Sequence, residues 1–248
     1  MEIIAVANQK GGCGKTTTAV NLAAYLALGG KKTLLIDLDP QGATTTSLGV
    51  DKWKLEKTVY NALVEDISLK DIALHTNVEG LDVAPTNLNM SAAELELASE
   101  IGRESILKNK IARLDGYDYI IIDTPPSLGI LTLNSLVASN TIIIPVQTEF
   151  FAMEGMSQLL KIADMVRDRL GNQLARRFLL TMYDGRTNLS REVADQVRSR
   201  FGNDVFSTVI PRGIKLAEAP SHGVPICLYD PESTGAKAYK LLSEEVAV

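Results

Sequence analysis

A glycine-rich segment near the N-terminus, residues 9–17 (QKGGCGKTT), constrains the fold of this 248-residue chain more than any other feature. It lies between an apolar run, residues 3–7, and a helical pattern over residues 17–28 that ends before Gly29 and Gly30. A strand, a glycine-rich turn and a helix in this order direct backbone N–H groups and a helix N-terminus at one point, where they bind polyphosphate oxygens. The segment therefore predicts a nucleotide-binding phosphate loop.

The side chains of this loop have separate expected roles. Lys15 is expected to reach the β- and γ-phosphates, and the Thr16 hydroxyl to ligate Mg²⁺. Thr17 can donate a further hydrogen bond to the α-phosphate. The loop departs from the strict pattern G-x-x-x-x-G-K-[ST], because Gln9 stands at the first glycine position. The loop residues expected to contact a nucleotide are Lys10, Gly11, Gly12, Cys13, Gly14, Lys15, Thr16 and Thr17.

Acidic residues follow two further apolar runs. Residues 33–37 lead into the segment DLDPQG, which carries Asp37 and Asp39, and residues 119–123 end in Asp123 before TPPS. Ligands bind beyond the carboxyl ends of the strands in open α/β sheets, so these carboxylates are expected beside the phosphate loop. Asp123 is expected to orient the Mg²⁺ shell, directly or through water. For Asp37, a role in capping the turn or helix that follows stays open.

Short apolar runs alternate with helical patterns along the chain. The runs that are rich in Ile, Val or Leu and short enough for buried strands are residues 3–7, 33–37, 81–84, 119–123, 141–146 and 178–182. Helical patterns cover residues 17–28, 152–170, 190–201 and 235–246. This alternation predicts an α/β, doubly wound fold with a mostly parallel sheet flanked by helices on both faces. No linker or internal repeat interrupts it, so we expect a single domain over residues 1–248.

Charge is distributed unevenly along the chain. The net charge is −5, but residues 160–215 carry eleven Lys or Arg against six Asp or Glu. A concentration of positive charge favours an anionic partner, although solvated helix faces explain it equally well.

Several classes of protein are disfavoured by simple features. No apolar run approaches the roughly 18 residues that a membrane-spanning helix needs. The N-terminus lacks the basic start and apolar stretch of a secretion signal. The two cysteines, Cys13 and Cys227, are too few for a disulfide framework or a zinc cluster. We therefore expect a soluble, cytoplasmic protein with reduced thiols.

The pattern K-G-G-x-G-K-T-T of residues 10–17 resembles the deviant Walker A motif of the ParA/MinD family of P-loop ATPases. The resemblance implies that Lys10 reaches across a two-fold homodimer to the partner's nucleotide, which would make dimerisation depend on ATP. The segments D-x-D-P-Q-G and D-T-P-P-S resemble the family's two switches, and by this match Asp39 positions or activates the attacking water while Asp37 lies nearer the metal. The implied cofactors are ATP and Mg²⁺, the implied catalytic residues Lys10, Lys15 and Asp39, and the implied metal-binding residues Thr16, Asp39 and Asp123.

Later segments are similar to chromosomal ParA proteins of the Soj type, namely residues 145–147, 180–188, 209–212, 218–223 and 229–231, with the weakest likeness at about 51–115. The resemblance implies a DNA-partition ATPase associated with the nucleoid. Its ATP-bound dimer would bind nonspecific double-stranded DNA and be released when a ParB-type, centromere-binding partner stimulates hydrolysis. The matching adenine-contacting residues are Met182 and Pro211, and the matching DNA-contacting residues are Arg186, Lys215, Lys237 and Lys240.

Three other proteins with this loop are alternatives. A MinD-like ATPase binds membranes through a C-terminal amphipathic helix, but the final stretch here, residues 241–248, is short and acidic. An iron–sulfur reductase of the nitrogenase type needs cysteine ligands beside its switch strands, where neither cysteine of this chain is expected. A positioning ATPase of the same mechanism with a protein cargo stays open.

Overall fold

The computed structural model describes residues 1–149 and 154–247. In these residues, eight strands form one sheet in the order β3-β4-β2-β5-β1-β6-β7-β8. Neighbouring strands are parallel, except that β3 runs antiparallel to β4. The strands are β1 (Glu2–Val6), β2 (Thr33–Asp37), β3 (Leu74–His75), β4 (Leu81–Ala84), β5 (Tyr119–Asp123), β6 (Thr141–Gln147), β7 (Ala175–Tyr183) and β8 (Val205–Pro211).

Helices lie between the strands. The α-helices of the described residues are α1 (Lys15–Leu28), α2 (Ala43–Ser47), α3 (Val59–Val64), α4 (Leu69–Ile72), α5 (Met90–Glu96), α6 (Ile106–Ile111), α7 (Ile130–Ala138), α8 (Glu154–Leu170), α9 (Asn188–Phe201), α10 (Ile214–Glu218), α11 (Ile226–Tyr229) and α12 (Thr234–Val246). Short 3₁₀ turns occupy Leu97–Ser99, Arg103–Ser105, Gly202–Asp204 and Ala219–His222. None of the described helices combines the length and the apolarity that crossing a bilayer requires.

Both faces of the sheet are buried, because successive side chains of a strand point to opposite faces. In β5, Ile121 packs with α1, α10, α11 and α12 on one face, whereas Ile120 and Ile122 pack with α3 to α7 on the other. The second face continues over β6 and β7, where α7, α8 and α9 cover it. This arrangement confirms the predicted doubly wound fold and explains why the strands are apolar on both sides.

The sheet order determines where the site forms. Strand β1 lies between β5 and β6, and β2 lies on the other side of β5. These strands are parallel, so the segments that follow β1, β2, β5, β6, β7 and β8 all leave the same carboxyl edge of the sheet. The phosphate loop follows β1 and the acidic segments follow β2 and β5, as the sequence predicts.

Several element bounds differ from the prediction. The strand predicted at 178–182 begins earlier, at Ala175. Two arginines lie in this added part: Arg176 is paired with Asp164, and the Arg177 guanidinium stacks 4.2 Å from the centre of the Phe206 ring. Strand β8 was not predicted because polar residues interrupt its apolar pattern, and β3 is only two residues long. Helix α1 starts at Lys15 instead of 17. The helix predicted at 152–170 is described over Glu154–Leu170, and residues 152 and 153 lie outside the described residues.

The edge strand β8 is held by a side chain of the C-terminal helix. The backbone N–H groups of Ser207 and Thr208 donate to the two carboxylate oxygens of Glu245, at 2.7 and 3.0 Å. Burial opposes ionisation of this carboxyl, but the two N–H donors, the Thr208 hydroxyl and the nearby Arg177 guanidinium together outweigh burial and hold its pKa below the ordinary range. The contact satisfies two backbone donors that a sheet edge would otherwise leave open to another chain.

We expect Glu245→Gln to lower the free energy of unfolding by about 1–2 kcal/mol, because a neutral amide oxygen accepts these bonds less strongly than a carboxylate does. The folded-state pKa is depressed, so the contribution is complete above the unfolded pKa of about 4.3 and is lost as the pH falls through the folded value. Urea denaturation at pH 7 and pH 3 measures both effects. Glu244→Gln, the exposed neighbour, is the matched control. Equal midpoints for the two variants at pH 7 would contradict the assignment.

Candidate nucleotide and magnesium site

The phosphate loop adopts a conformation that requires glycine. Gly12 and Gly14 have φ angles of 70° and 92°, in the left-handed region that L side chains rarely adopt. Gly14 immediately precedes α1, and no side chain caps the first N–H groups of that helix. Gly11 and Gly12 are exposed, and a Cβ added to either would meet no atom within 4 Å. The loop therefore presents free backbone donors on an open surface, as phosphate binding requires.

The two lysines of the loop lie in different surroundings. Lys15 is buried, with 7% of its surface exposed, and its Nζ donates to the Lys10 carbonyl oxygen at 3.3 Å. The Lys10 side chain is 33% exposed, and its Nζ lies 3.9 Å from Glu149 Oε2, beyond the end of β6. Lys15 therefore lies over its own loop, whereas Lys10 extends from the loop with only a long, solvent-screened ion pair.

Asp123 joins the phosphate loop to the segment after β2. Its Oδ2 accepts hydrogen bonds from the hydroxyls of Thr16 and Thr44, each at 2.8 Å. Its Oδ1 is buried and has no hydrogen-bond partner among the described residues. Burial raises the pKa of this carboxyl above its ordinary range. A divalent cation bound beside it would lower that pKa again. A hard cation ligated by the Thr16 hydroxyl would lie beside this unpartnered oxygen, so the donor set fits Mg²⁺.

Asp37 organises the backbone around the site. Its Oδ2 accepts from the Thr45 N–H at 2.9 Å and the Thr45 hydroxyl at 2.7 Å, and its Oδ1 accepts from the Asp39 N–H at 3.2 Å. Burial, followed by the negative charge of Asp123, raises the pKa of Asp37. The sequence left two roles open for Asp37, a place near the metal or a cap for the turn or helix that follows. Its contacts are those of a cap.

The loop that carries Asp39 is held on two sides. Asp39 is half-buried, and its Oδ1 accepts from the Gln41 N–H at 3.0 Å. Its charge is near enough to Asp123 to raise the pKa of that carboxyl. From outside, the Lys52 ammonium donates to the Gln41 carbonyl, and its stem packs so closely on Gly42 that a Cβ there would lie 2.9 Å from Lys52 Cδ.

Sequence reasoning missed several residues that hold the site. Thr44 and Thr45 were detectable in principle, because they belong to a run of three threonines shortly after Gly42, the glycine that precedes α2. Lys52 lies in a charged surface segment with no recognisable pattern. Thr181, whose hydroxyl donates to the Cys13 carbonyl oxygen of the phosphate loop at 2.9 Å, reads in the sequence as one more strand residue.

A cavity of about 260 Å³ adjoins the phosphate loop. Gly14 and Thr17 line it on the loop side, and the predicted adenine contacts Met182 and Pro211 line it from the ends of β7 and β8. Met182 has a φ of 52°, unusual for a residue other than glycine, and such strain concentrates at functional sites. The structure therefore brings the predicted base-binding and phosphate-binding residues to one cavity, whose largely apolar walls suit a flat base.

The predicted DNA-contacting residues lie on separate elements. Arg186, in the loop after β7, has a side chain 91% exposed, and its guanidinium donates to both carboxylate oxygens of Asp184, holding the pKa of Asp184 at about 2. Lys215, on α10, pairs with Glu218 at 3.0 Å, and Lys237, on α12, pairs with Glu232 at 3.0 Å. Lys240 is exposed on the same helix, and no described acidic residue pairs with it. All four are accessible, and three are paired with a carboxylate.

The parallel sheet, the phosphate loop and the Thr16–Asp123 contact at its carboxyl edge together define a P-loop nucleotide-binding protein. Comparisons with known proteins agree. A family model described as an AAA domain matches residues 1–176. The chain is 52% identical to the sporulation initiation inhibitor protein Soj of Bacillus subtilis, over 99% of this chain and 98% of that protein. It is 48% identical to the chromosome-partitioning ATPase Soj of Treponema pallidum, over 96% and 94% of the two chains.

A solved structure of cobyrinic acid a,c-diamide synthase from Mycobacterium smegmatis, with a bound ATP analogue and magnesium, superposes with a TM-score of 0.88. It shares 38% identity and covers 100% of this chain and 94% of that one. The chain belongs to the Soj/ParA family of partition ATPases within the ParA/MinD group. It is an ATP hydrolase that uses ATP and Mg²⁺.

Proposed function

We propose that this ATPase partitions DNA by a nucleotide-driven switch. ATP binding would produce a homodimer that binds nonspecific double-stranded DNA, and a ParB-type partner would release it by stimulating hydrolysis. Two relatives bear names that connect them to sporulation control and chromosome partitioning, which supports a DNA cargo. The single domain expected over residues 1–248 would contain both the nucleotide site and the DNA-binding surface.

The observation that carries the proposal is the placement of Lys10. Its side chain is 33% exposed, the residues that follow it, Gly11 and Gly12, are exposed, and its only described acidic partner, Glu149, is 3.9 Å away. Lys15 already provides a cation from within the same loop. A second cation on the open side is suited to a phosphate bound by another subunit, and supplying it in trans would make dimerisation depend on ATP.

The exposed basic residues support binding to a polyanion. Arg186, Lys215 and Lys237 are paired with exposed or half-exposed carboxylates, and exposed ion pairs of this kind contribute little to stability because solvent screens them. Exchange of these carboxylates for DNA phosphates would therefore cost little, and a dimer would present each residue twice to one duplex. Phosphate contacts release counterions together, so affinity rises steeply with their number.

The test is binding to a nonspecific duplex with ATP, ADP or no nucleotide, across a salt series. We expect binding only with ATP, weakening steeply with salt, and Lys10→Ala is expected to abolish both dimerisation and DNA binding while it retains ATP. Lys240→Ala is expected to reduce the slope of log affinity against log salt by about 1 per subunit in contact. Lys54→Ala, which changes an exposed lysine paired with Asp51 that is not among the predicted DNA contacts, is the control and should leave the slope unchanged.

Other outcomes would identify other functions. Equal DNA binding in all three nucleotide states would rule out the switch. ATP-dependent dimers that bind no duplex would favour a protein cargo, and ATP-dependent flotation with liposomes would favour a membrane-associated ATPase.

A further inference from the structure

A continuous chain of hydrogen bonds connects the phosphate loop to the loop that carries Arg186. It begins at the Cys13 carbonyl oxygen, which accepts from the Thr181 hydroxyl at 2.9 Å. The Thr181 carbonyl oxygen in turn accepts from the Thr148 N–H at 3.1 Å. These contacts tie the phosphate loop to the ends of β7 and β6.

The chain continues through two buried hydroxyls. The Ser190 hydroxyl donates to Thr148 Oγ1 at 2.7 Å, and its oxygen accepts from the Asp184 N–H at 3.1 Å. Asp184 then accepts from the backbone and the guanidinium of Arg186. Cys13 and Arg186 are therefore connected by direct hydrogen bonds, joined to one another through the covalent bonds of single residues.

The hydroxyls of this hydrogen-bonded chain are buried, and the Thr148 hydroxyl, which accepts from Ser190, also lies 3.4 Å from the Thr181 and Met182 carbonyl oxygens, to which it can donate. Thr181, Thr148 and Ser190 are 2%, 4% and 3% exposed, so water cannot replace their partners. A buried hydroxyl that loses its partner is destabilised, and networks of this kind therefore move as a unit or break at a measurable cost. The Ser190 hydroxyl is not needed to start α9, because the Thr187 side chain caps that helix through the Ser190 N–H.

The chain also touches the site at a second point. Glu149, the residue after Thr148, is the ion-pair partner of Lys10, and Met182, the residue after Thr181, lines the nucleotide cavity. A shift of the phosphate loop or of the Lys10–Glu149 pair would therefore reach the Thr148 end of the Thr148–Ser190 contact by two routes.

We propose that Thr148 and Ser190 are positioning residues that couple the nucleotide site to the loop carrying Arg186. In this scheme the nucleotide state determines how Arg186 is presented, and the coupling passes through the two hydroxyls. The proposal rests on the DNA-binding function proposed above. It assigns no part in ATP hydrolysis to either hydroxyl.

The test compares Ser190→Ala, Thr148→Val and the double variant with the wild type. We expect all three to retain ATP turnover and ATP-dependent dimerisation, whereas the ratio of DNA affinities between the ATP and ADP states falls about fivefold or more. The double variant should lose no more than the larger single variant, because both changes break the same contact. Thr148→Ser keeps the hydroxyl and should restore the wild-type ratio. Ser139→Ala removes a buried hydroxyl whose one described hydrogen bond is to the Ser135 carbonyl, at the far end of α7, and is the matched control.

Hydrogen–deuterium exchange of residues 184–188 provides a readout that does not depend on DNA. ATP should change the exchange of these amides in the wild type and in Thr148→Ser, but not in Ser190→Ala or Thr148→Val. The inference is overturned if the variants keep the wild-type affinity ratio, or if ATP leaves the exchange of this loop unchanged in the wild type. If ATP changes the exchange only when the hydroxyl contact is intact but no state binds DNA, the coupling stands and the proposed DNA function fails.

Discussion

Replacing Lys15 with alanine is expected to lower the rate of ATP hydrolysis by about 100- to 1000-fold, the usual effect of removing one preorganised charge from a phosphoryl-transfer site. Lys15 is the first residue of α1 and is almost entirely buried over the phosphate loop, where its only described hydrogen bond is a long one to the Lys10 carbonyl. An ammonium in this position has been removed from water without gaining a carboxylate partner. A polyphosphate is the ligand that would compensate for that burial.

Phosphate release at saturating Mg²⁺ and ATP measures the effect on turnover, and calorimetry measures the accompanying loss of nucleotide affinity. Lys31→Ala, an exposed lysine beyond the C-terminal end of the same helix, is the control. Thermal melting shows whether the variant is folded. A folded Lys15→Ala protein with turnover within threefold of the wild type would exclude the role assigned to this lysine.

Asp39→Ala is expected to slow hydrolysis by about 100- to 10,000-fold while ATP binding persists, so that an ATP-bound dimer accumulates. The three carboxylates make different contacts. Asp123 contacts the Thr16 hydroxyl, Asp37 holds the start of α2, and Asp39 makes its one described side-chain contact with a neighbouring N–H. Asp37 and Asp123 are fully buried, whereas Asp39 is half-buried and its Oδ2 makes no described hydrogen bond, so Asp39 is suited to orient a water.

Light scattering with ATP and single-turnover hydrolysis separate dimer formation from catalysis in this variant. Asp51→Ala, which removes an exposed carboxylate from the segment after α2, is the control and should behave as the wild type. By contrast, Asp37→Ala would leave the Thr45 hydroxyl and N–H without their acceptor and should chiefly lower thermal stability. An Asp39→Ala protein that hydrolyses ATP normally, or stays monomeric with ATP, would refute the assignment.

Features that depend on contiguous residues could be predicted from the sequence. The phosphate loop was recognisable because glycines, a lysine and two threonines must follow one another between a strand and a helix. The central strands were recognisable because burial on both faces demands uninterrupted apolar runs, as in Tyr119–Asp123. The edge strand Val205–Pro211 was not predicted because its apolar run is interrupted in the middle by polar residues, where Ser207 contacts Glu245.

Only the tertiary structure decided which distant side chains meet. Cys13 and Thr181 are 168 residues apart in the chain, and Thr148 and Ser190 are 42 apart. They meet because β1, β6 and β7 are neighbours in the sheet, and a single hydroxyl at the end of a strand carries no periodic signal that would reveal its partner. The sequence by itself thus determined the nucleotide chemistry, since that chemistry resides in a local loop. The sheet order determined that the phosphate loop is connected to the loop carrying Arg186, since that connection depends on strands that lie far apart in the chain.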